Sequence, residues 1–340
     1  MRLRSLLATL ALLLASEIAA ACPLCIGTAA RSSSQDFDEL ARAVMAVPQG
    51  TRYRVVEVIK GAPPDPLLDE VVVRDPAPAG KALLLARDDQ WPTWVSLGPI
   101  SARHAPTLRE LAGGRPPESD AAAWRRRLDL AIPHLESREA LLAEIAYAEC
   151  AAAPYVAMRA ARAKLDVRAL RAWVNDPARG ARQPLYILLL GIAGDTTLDA
   201  AGIEAQLANP WRARNSTNLS ALIAADLELR GPSQVAWVED RYLRNPSRDA
   251  VEIRAALLAL SVQANSDGPI SRRRVIEAYR VFMRAHEDKA GFVAPDLAAW
   301  GYWEAAPEFA AILESNVRQH DDSREAIVAY LRQSPRRGPE

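Results

Sequence analysis

Two hydrophobic periods divide this chain. In Arg52-Tyr53-Arg54-Val55-Val56-Glu57-Val58-Ile59, polar and β-branched residues alternate, the pattern of a half-buried strand. Lys60-Gly61 stops it. Ala62-Pro63-Pro64-Asp65-Pro66 follows, a loop that no regular element crosses, because proline fixes φ and lacks a backbone donor. Glu70 to Arg74, Lys81 to Arg87 and Thr93 to Ile100 read as further strands, set apart by Pro76, Pro78 and Gly80. Residues 35–45 (Gln35 to Met45) open with a helical pattern and pass into one more strand, Ala43 to Val47. About five short strands at roughly 10–20-residue spacing predict a small antiparallel sheet or barrel.

From Asp120 onward the apolar residues recur at i, i+3, i+4 and i+7, the period of an amphipathic helix. Trp124/Leu128/Ala131/Ile132, Leu141/Leu142/Ile145 and Leu219/Leu222/Ile223/Leu227 are examples, and Pro184 to Ala193 reads as a buried helix. Three helices end on one phrase: Trp173-Val174-Asn175-Asp176-Pro177, Leu207-Ala208-Asn209-Pro210 and Leu243-Arg244-Asn245-Pro246. Their asparagines lie 34 and then 36 residues apart. Asparagine is expected there because it tolerates the left-handed end of a helix, and proline because it cannot continue one. Weaker echoes follow at Met283 to His286, Leu313 to Asn316 and Leu331 to Pro335. A period near 35 residues, two helices to a unit, predicts a HEAT-like α-solenoid. The fold class is therefore α+β in two domains: a small β-domain over residues 22–112, OB-like, a Gly/Pro-rich linker over 113–119, and an α-helical repeat domain over 120–335. Residues 336–340 read as a disordered tail.

The first 21 residues carry a different signal. Arg2 and Arg4 precede the apolar run Leu6 to Leu14, and Ala19-Ala20-Ala21 supplies the small residues of a cleavage site. The run is shorter than the ~20 residues of a membrane-spanning helix. It predicts a signal peptide over 1–21 and an exported protein, periplasmic or secreted, whose mature chain begins at Cys22. The same Ala19-Ala20-Ala21-Cys22 lies near a lipobox, with alanine in place of the usual leucine. Ordinary cleavage and lipidation of Cys22 both stay open, and lipidation would anchor the protein to the envelope.

Charge narrows the function classes. The 340 residues hold 42 basic and 42 acidic side chains, so the chain carries no footprint for nucleic acid. Arginine outnumbers lysine 38 to 4, which together with abundant alanine reads as compositional bias rather than function.

Few residues carry candidate chemistry. Cys22-Pro23-Leu24-Cys25 is a C-x-x-C pair, open to a redox dithiol, half a metal site or a structural disulfide. Ile26 stands where haem attachment needs His, and zinc would need two further ligands. Cys150 is the third cysteine, on a helix from Arg138 to Ala153 and partly buried by its wheel position. Cys22–Cys25 closing on itself, Cys25–Cys150 bridging the domains, and Cys22 as a lipid anchor remain alternatives. His104, His134, His286 and His320 are scattered singly, and His286 ends a helix where a cation suits the dipole. No G-x-S-x-G, P-loop or H-E-x-x-H occurs, and Asp321-Asp322 reads as a helix cap. Several tryptophans of the helical part fall at core-type positions. Trp300, Tyr302 and Trp303 gather around Gly301 and are the candidate partner surface.

The start Cys22-Pro-Leu-Cys25, the strand phrase Tyr53-Arg-Val-Val-Glu-Val-Ile-Lys-Gly61, and the helical phrases Leu170 to Pro177 and Leu185 to Asp195 resemble a family of uncharacterised exported bacterial proteins. That resemblance covers most of the mature chain and implies no catalytic residues. The β part resembles the OB-type barrel of netrin and metalloprotease-inhibitor domains, although their Cys-x-Cys start and further disulfides have no counterpart here. The expectation is an envelope protein without enzymatic activity and without a cofactor or metal, a scaffold whose helical concave face binds another protein. The alternative is a thiol/disulfide redox or metal-binding protein using Cys22 and Cys25.

Overall fold

The computed structural model describes residues 40–88, 92–117, 119–208, 216–265, 268–315 and 317–335. The proline- and glycine-bounded segments form six strands: β1 (Arg42–Gln49), β2 (Arg52–Lys60), β3 (Leu67–Leu68), β4 (Val71–Val72), β5 (Ala82–Arg87) and β6 (Trp94–Ile100). Their order in the sheet is β3-β2-β1-β5-β6-β4. β3 and β4 are separated only by Asp69 and Glu70, so one short stretch of chain reaches from β2 at one edge to β6 at the other and nearly closes the sheet into a barrel. Every pairing is antiparallel except β4 with β6.

The two faces of β1 and β5 go to different cores. Val44, Ala46, Leu83 and Leu85 point with Leu68 and Trp94 into the barrel interior. Ala43, Met45, Ala82 and Leu84 point outward and are covered by helices. The first cover is α1 (Ala105–Leu111), a short helix before the Gly113-Gly114 break that the sequence pattern did not reveal. Arg109 holds it to β2, donating to the Val58 carbonyl at 2.9 Å and pairing with Glu57. The second cover is α3 (Ala140–Ala152), through Leu141, Leu142 and Ile145.

The start of the segment after α1 is tied to the helical part by one arginine. Arg127, on α2 (Ala121–Ala131), donates to the carbonyls of Leu111 at 2.8 Å and Gly114 at 2.7 Å, and to Glu149 of α3 at 2.6 Å. Barrel and helices therefore share one apolar core and one buried polar suture.

The helical part continues with α4 (Tyr155–Ala160), α5 (Val167–Val174), α6 (Gln183–Ala193), α7 (Leu198–Ala208), α8 (Ser216–Arg230), α9 (Gln234–Val238), α10 (Ala250–Ala264), α11 (Arg272–Ala285), α12 (Ala294–Ala299), α13 (Ala306–Glu314) and α14 (Asp321–Gln333). Asp120, Asp166, Asp249 and Ser271 start helices by accepting from a backbone N–H three residues on. The helices of the central row begin at Gln183, Ser216 and Ala250, steps of roughly 35 residues along a solenoid-like array. α6, α8 and α10 pack side by side as its central row. Gly191 makes the closest approach in that row: a Cβ there would lie 2.6 Å from Ala225 Cα, so only glycine lets α6 meet α8 at this depth.

The helix-ending asparagines work differently from expectation. Among the described residues no non-glycine residue has positive φ. Asn175 sits at φ −96° and its side-chain amide donates to the Arg171 carbonyl at 2.8 Å. Asn245 accepts from the Ser247 N–H at 3.0 Å. Neither asparagine uses a left-handed backbone: the Asn175 side chain satisfies a helix-end carbonyl, and the Asn245 side chain turns the chain after its helix. Asn209 lies outside the described residues.

Candidate functional site

Cys22 and Cys25, like all of residues 1–39, lie outside the described residues. Cys150 is 1% exposed inside the helical core. Burial, and then the neighbouring Glu149 carboxylate, push its thiol pKa well up, so it is held as the neutral thiol.

Two of the histidines, single in the sequence, pair in space. His104 before α1 and His134 after α2 meet edge to face with ring centroids 5.6 Å apart. His104 Nε2 lies 3.3 Å from Glu139 Oε1, and Glu139 also accepts from the Ser101 N–H at 2.7 Å. Burial, then the charge of His104, lowers the pKa of His134. Among the described residues no group of three His, Cys, Asp or Glu is arranged to hold a metal ion. His286 departs from its dipole role: it is buried against Phe282, and burial lowers its pKa and disfavours the cation. Asp321 and Asp322 occupy the first turn of α14, and Asp322 reaches across to Arg254 at 2.6 Å.

Trp300, Tyr302 and Trp303 are half-buried, not a free aromatic patch. α12 ends in a Schellman motif: the Tyr302 N–H donates to the Leu297 carbonyl at 2.9 Å and the Gly301 N–H to Ala298 at 3.0 Å. Gly301 has φ +65°, the left-handed conformation that this motif requires. The turn stacks Trp300 on Tyr279 of α11 at 5.6 Å, below the Arg272 guanidinium, while Trp303 packs on Tyr330 of α14.

One surface of α11 is a trough lined by Arg244, Arg274, Glu277, Arg280, Val281, Arg284 and Ala285, with Glu239 below. It follows from spacing: Arg273, Glu277, Arg280 and Arg284 fall at i, i+4, i+7 and i+11 of one helix face. Buried Glu239 accepts from Arg244 at 3.0 Å and Arg274 at 2.6 Å, and Glu277 from Arg273 at 3.2 Å. Among the described residues Arg280 and Arg284 have no ion-pair partner. Arg280 lies near enough to Tyr302 to act on its charge, which joins the trough to the aromatic turn. Glu304 and Glu308 border the same turn.

The arginine excess thus has two uses. Arg127, Arg159 and Arg171 neutralise carboxylates that are themselves buried. Arg280 and Arg284 leave a positive surface. The signal was the face spacing on α11, which overall composition hides.

Comparison of the chain with protein-family profiles, with curated proteins and with solved structures returns no match. Among the described residues no helix is long and apolar enough to cross a membrane.

Proposed function

We propose that this is an exported envelope protein that acts as a protein-interaction scaffold, and that its docking surface is the α11 trough with the turn at 300–303. The carrying observation is the joining of Arg280 and Arg284, without carboxylate partners among the described residues, to half-buried Trp300 and Tyr302. Arginine, tryptophan and tyrosine are the side chains that most often carry interface energy, because they combine apolar area with polar tips. The partner chemistry is an acidic polypeptide segment. It would satisfy the two guanidiniums and cover Val281.

The inner helices favour this outer surface over a concave one. α8 is almost wholly buried between α6, α7 and α10, and leaves little area for a partner. The barrel's pairing circuit, β1–β2–β3/β4–β6–β5–β1, supports an OB-type reading, and the 35-residue step supports a HEAT-like one.

The test is crosslinking capture from a native envelope extract with wild type and the Arg280→Glu/Arg284→Glu variant. The expected result is an acidic partner recovered by wild type and lost, at least tenfold, by the reversal. A partner recovered equally by both contradicts this surface, and no reproducible partner contradicts the scaffold reading. Intact mass of the mature protein tests export separately: a chain starting at Cys22, with or without acyl groups, is expected.

A further inference from the structure

A cavity of about 380 Å³ opens between α10, the turn at 287–293, α12 and α14, away from the α11 trough. Its walls are apolar: Leu257 and Leu258 from α10, Phe292, Pro295, and Ala326 from α14. At one end the Asp296 carboxylate accepts from the Tyr279 hydroxyl at 2.6 Å and from Ser261. At the mouth the Arg254 guanidinium lies over the Phe292 ring, 4.0 Å from its centroid, and pairs with Asp322 at 2.6 Å.

Asp296 is half-buried and differs from the buried carboxylates of this protein, of which Asp226 pairs with Arg230 at 3.0 Å. Glu149, Glu228, Asp199 and Glu239 each face an arginine within 2.7 Å. The groups that hold Asp296 are two hydroxyls, and burial, its largest influence, raises its pKa. Arg254, the cation among the lining residues, is committed to Asp322 and to the Phe292 face. A carboxylate left in an apolar cavity without a counter-charge is costly, and a ligand that brings the charge recovers that cost. The volume is at the lower end of small-molecule sites, which combine an apolar lining with a few convergent polar groups. An anionic ligand is disfavoured, since it would have to displace Asp322 from Arg254 and then face Asp296.

We propose that this cavity binds a protonated primary amine with an apolar body, its ammonium on the Asp296 carboxylate and its carbon chain along Leu257, Leu258, Phe292 and Pro295. Tyr279 and Ser261 hold the carboxylate in place, and the Arg254–Asp322 pair closes over the ligand's apolar end. The site has a different lining from the docking surface on α11, to which Tyr279 links it by stacking on Trp300.

The probes are n-hexylammonium and n-hexanoate, titrated calorimetrically into the folded protein near neutral pH, with methyl chemical shifts of Leu257 and Leu258 to place the ligand. The expected result is hexylammonium binding that shifts those methyls, no hexanoate binding, and at least a tenfold loss of affinity in Asp296→Asn. Leu258→Trp, which fills the cavity and leaves Asp296 in place, is expected to abolish binding and keeps the test usable if the first variant misfolds. Equal binding of hexylammonium and hexanoate, undiminished binding in either folded variant, or no binding by wild type overturns the proposal.

Discussion

The barrel and the helical part fill their cores with different chemistry. In the barrel, β1 and β5 bury both faces with Ala, Val, Leu and Met, and its ion pairs, Arg52–Asp69 and Arg109–Glu57, sit at the surface. Among the described residues every buried charged side chain lies from Arg127 onward. There Arg127–Glu149, Arg159–Glu228, Arg171–Asp199 and Arg274–Glu239 join helices distant in sequence. The difference follows from backbone hydrogen bonding. A sheet's register is set between strands by its ladder, with bulges at Ala43/Val44 and Met45/Ala46 on β1. Helices satisfy their backbones internally, so side chains must specify which turn faces which. These pairs, each built on a buried carboxylate, supply that.

The contrast is tested most strongly at its seam. Glu149→Leu leaves the Arg127 guanidinium in the core without its carboxylate and is expected to cost about 3–5 kcal/mol in urea unfolding. Arg127→Met/Glu149→Leu is expected to recover most of that loss in stability. If the double variant is as unstable as the single, the pair does more than neutralise itself. In the barrel, Leu84→Ala is expected to cost about 2–5 kcal/mol by the transfer and cavity terms alone. Gly191→Ala tests helix spacing: its Cβ would push against Ala225, and about 1–3 kcal/mol of overpacking is expected.

The smallest effect is a pH dependence of opposite sign at two aspartates. The hydrogen bonds of Arg171 lower the pKa of Asp199, so its contribution is present above the ordinary carboxylate range and is lost as pH falls through the lowered value. Burial raises Asp296, so its contribution is present at low pH and is lost as pH rises through the raised value. Arg171→Met is expected to flatten the acid limb of the stability profile, and Asp296→Asn to raise stability at neutral pH relative to acid. Profiles unchanged in both variants would show that neither carboxylate is linked to folding.

Much of this architecture was legible from local pattern. Strand starts and stops followed Pro63, Pro64, Pro66, Pro76 and Gly80, and the helices followed the 3.6-residue period. What was not legible depends on contacts far apart in sequence. Barrel closure rests on two-residue strands, Leu67–Leu68 and Val71–Val72, too short to show a period. The outward face of Met45 and Leu84 gave no hint that α3, some 60–100 residues later, would cover it. Trp300 and Tyr302 were visible as a candidate surface. Arg280 and Arg284 were hidden in an arginine-rich composition until α11 placed them on one face beside Tyr302. The histidine pair at His104 and His134 was equally invisible, since its members stand 30 positions apart in the chain.

The most direct test of this account is whether the shared core at α3 makes barrel and helices one cooperative unit. Leu142, buried between α3 and the outer face of the barrel, is the probe. Native-state hydrogen exchange is read at the Met45 and Leu84 amides in the barrel and at the Leu222 and Ile223 amides in α8. In Leu142→Ala the account predicts an equal loss of protection, about 2–5 kcal/mol, at both sets. A loss confined to the barrel amides, with α8 unchanged, would contradict it.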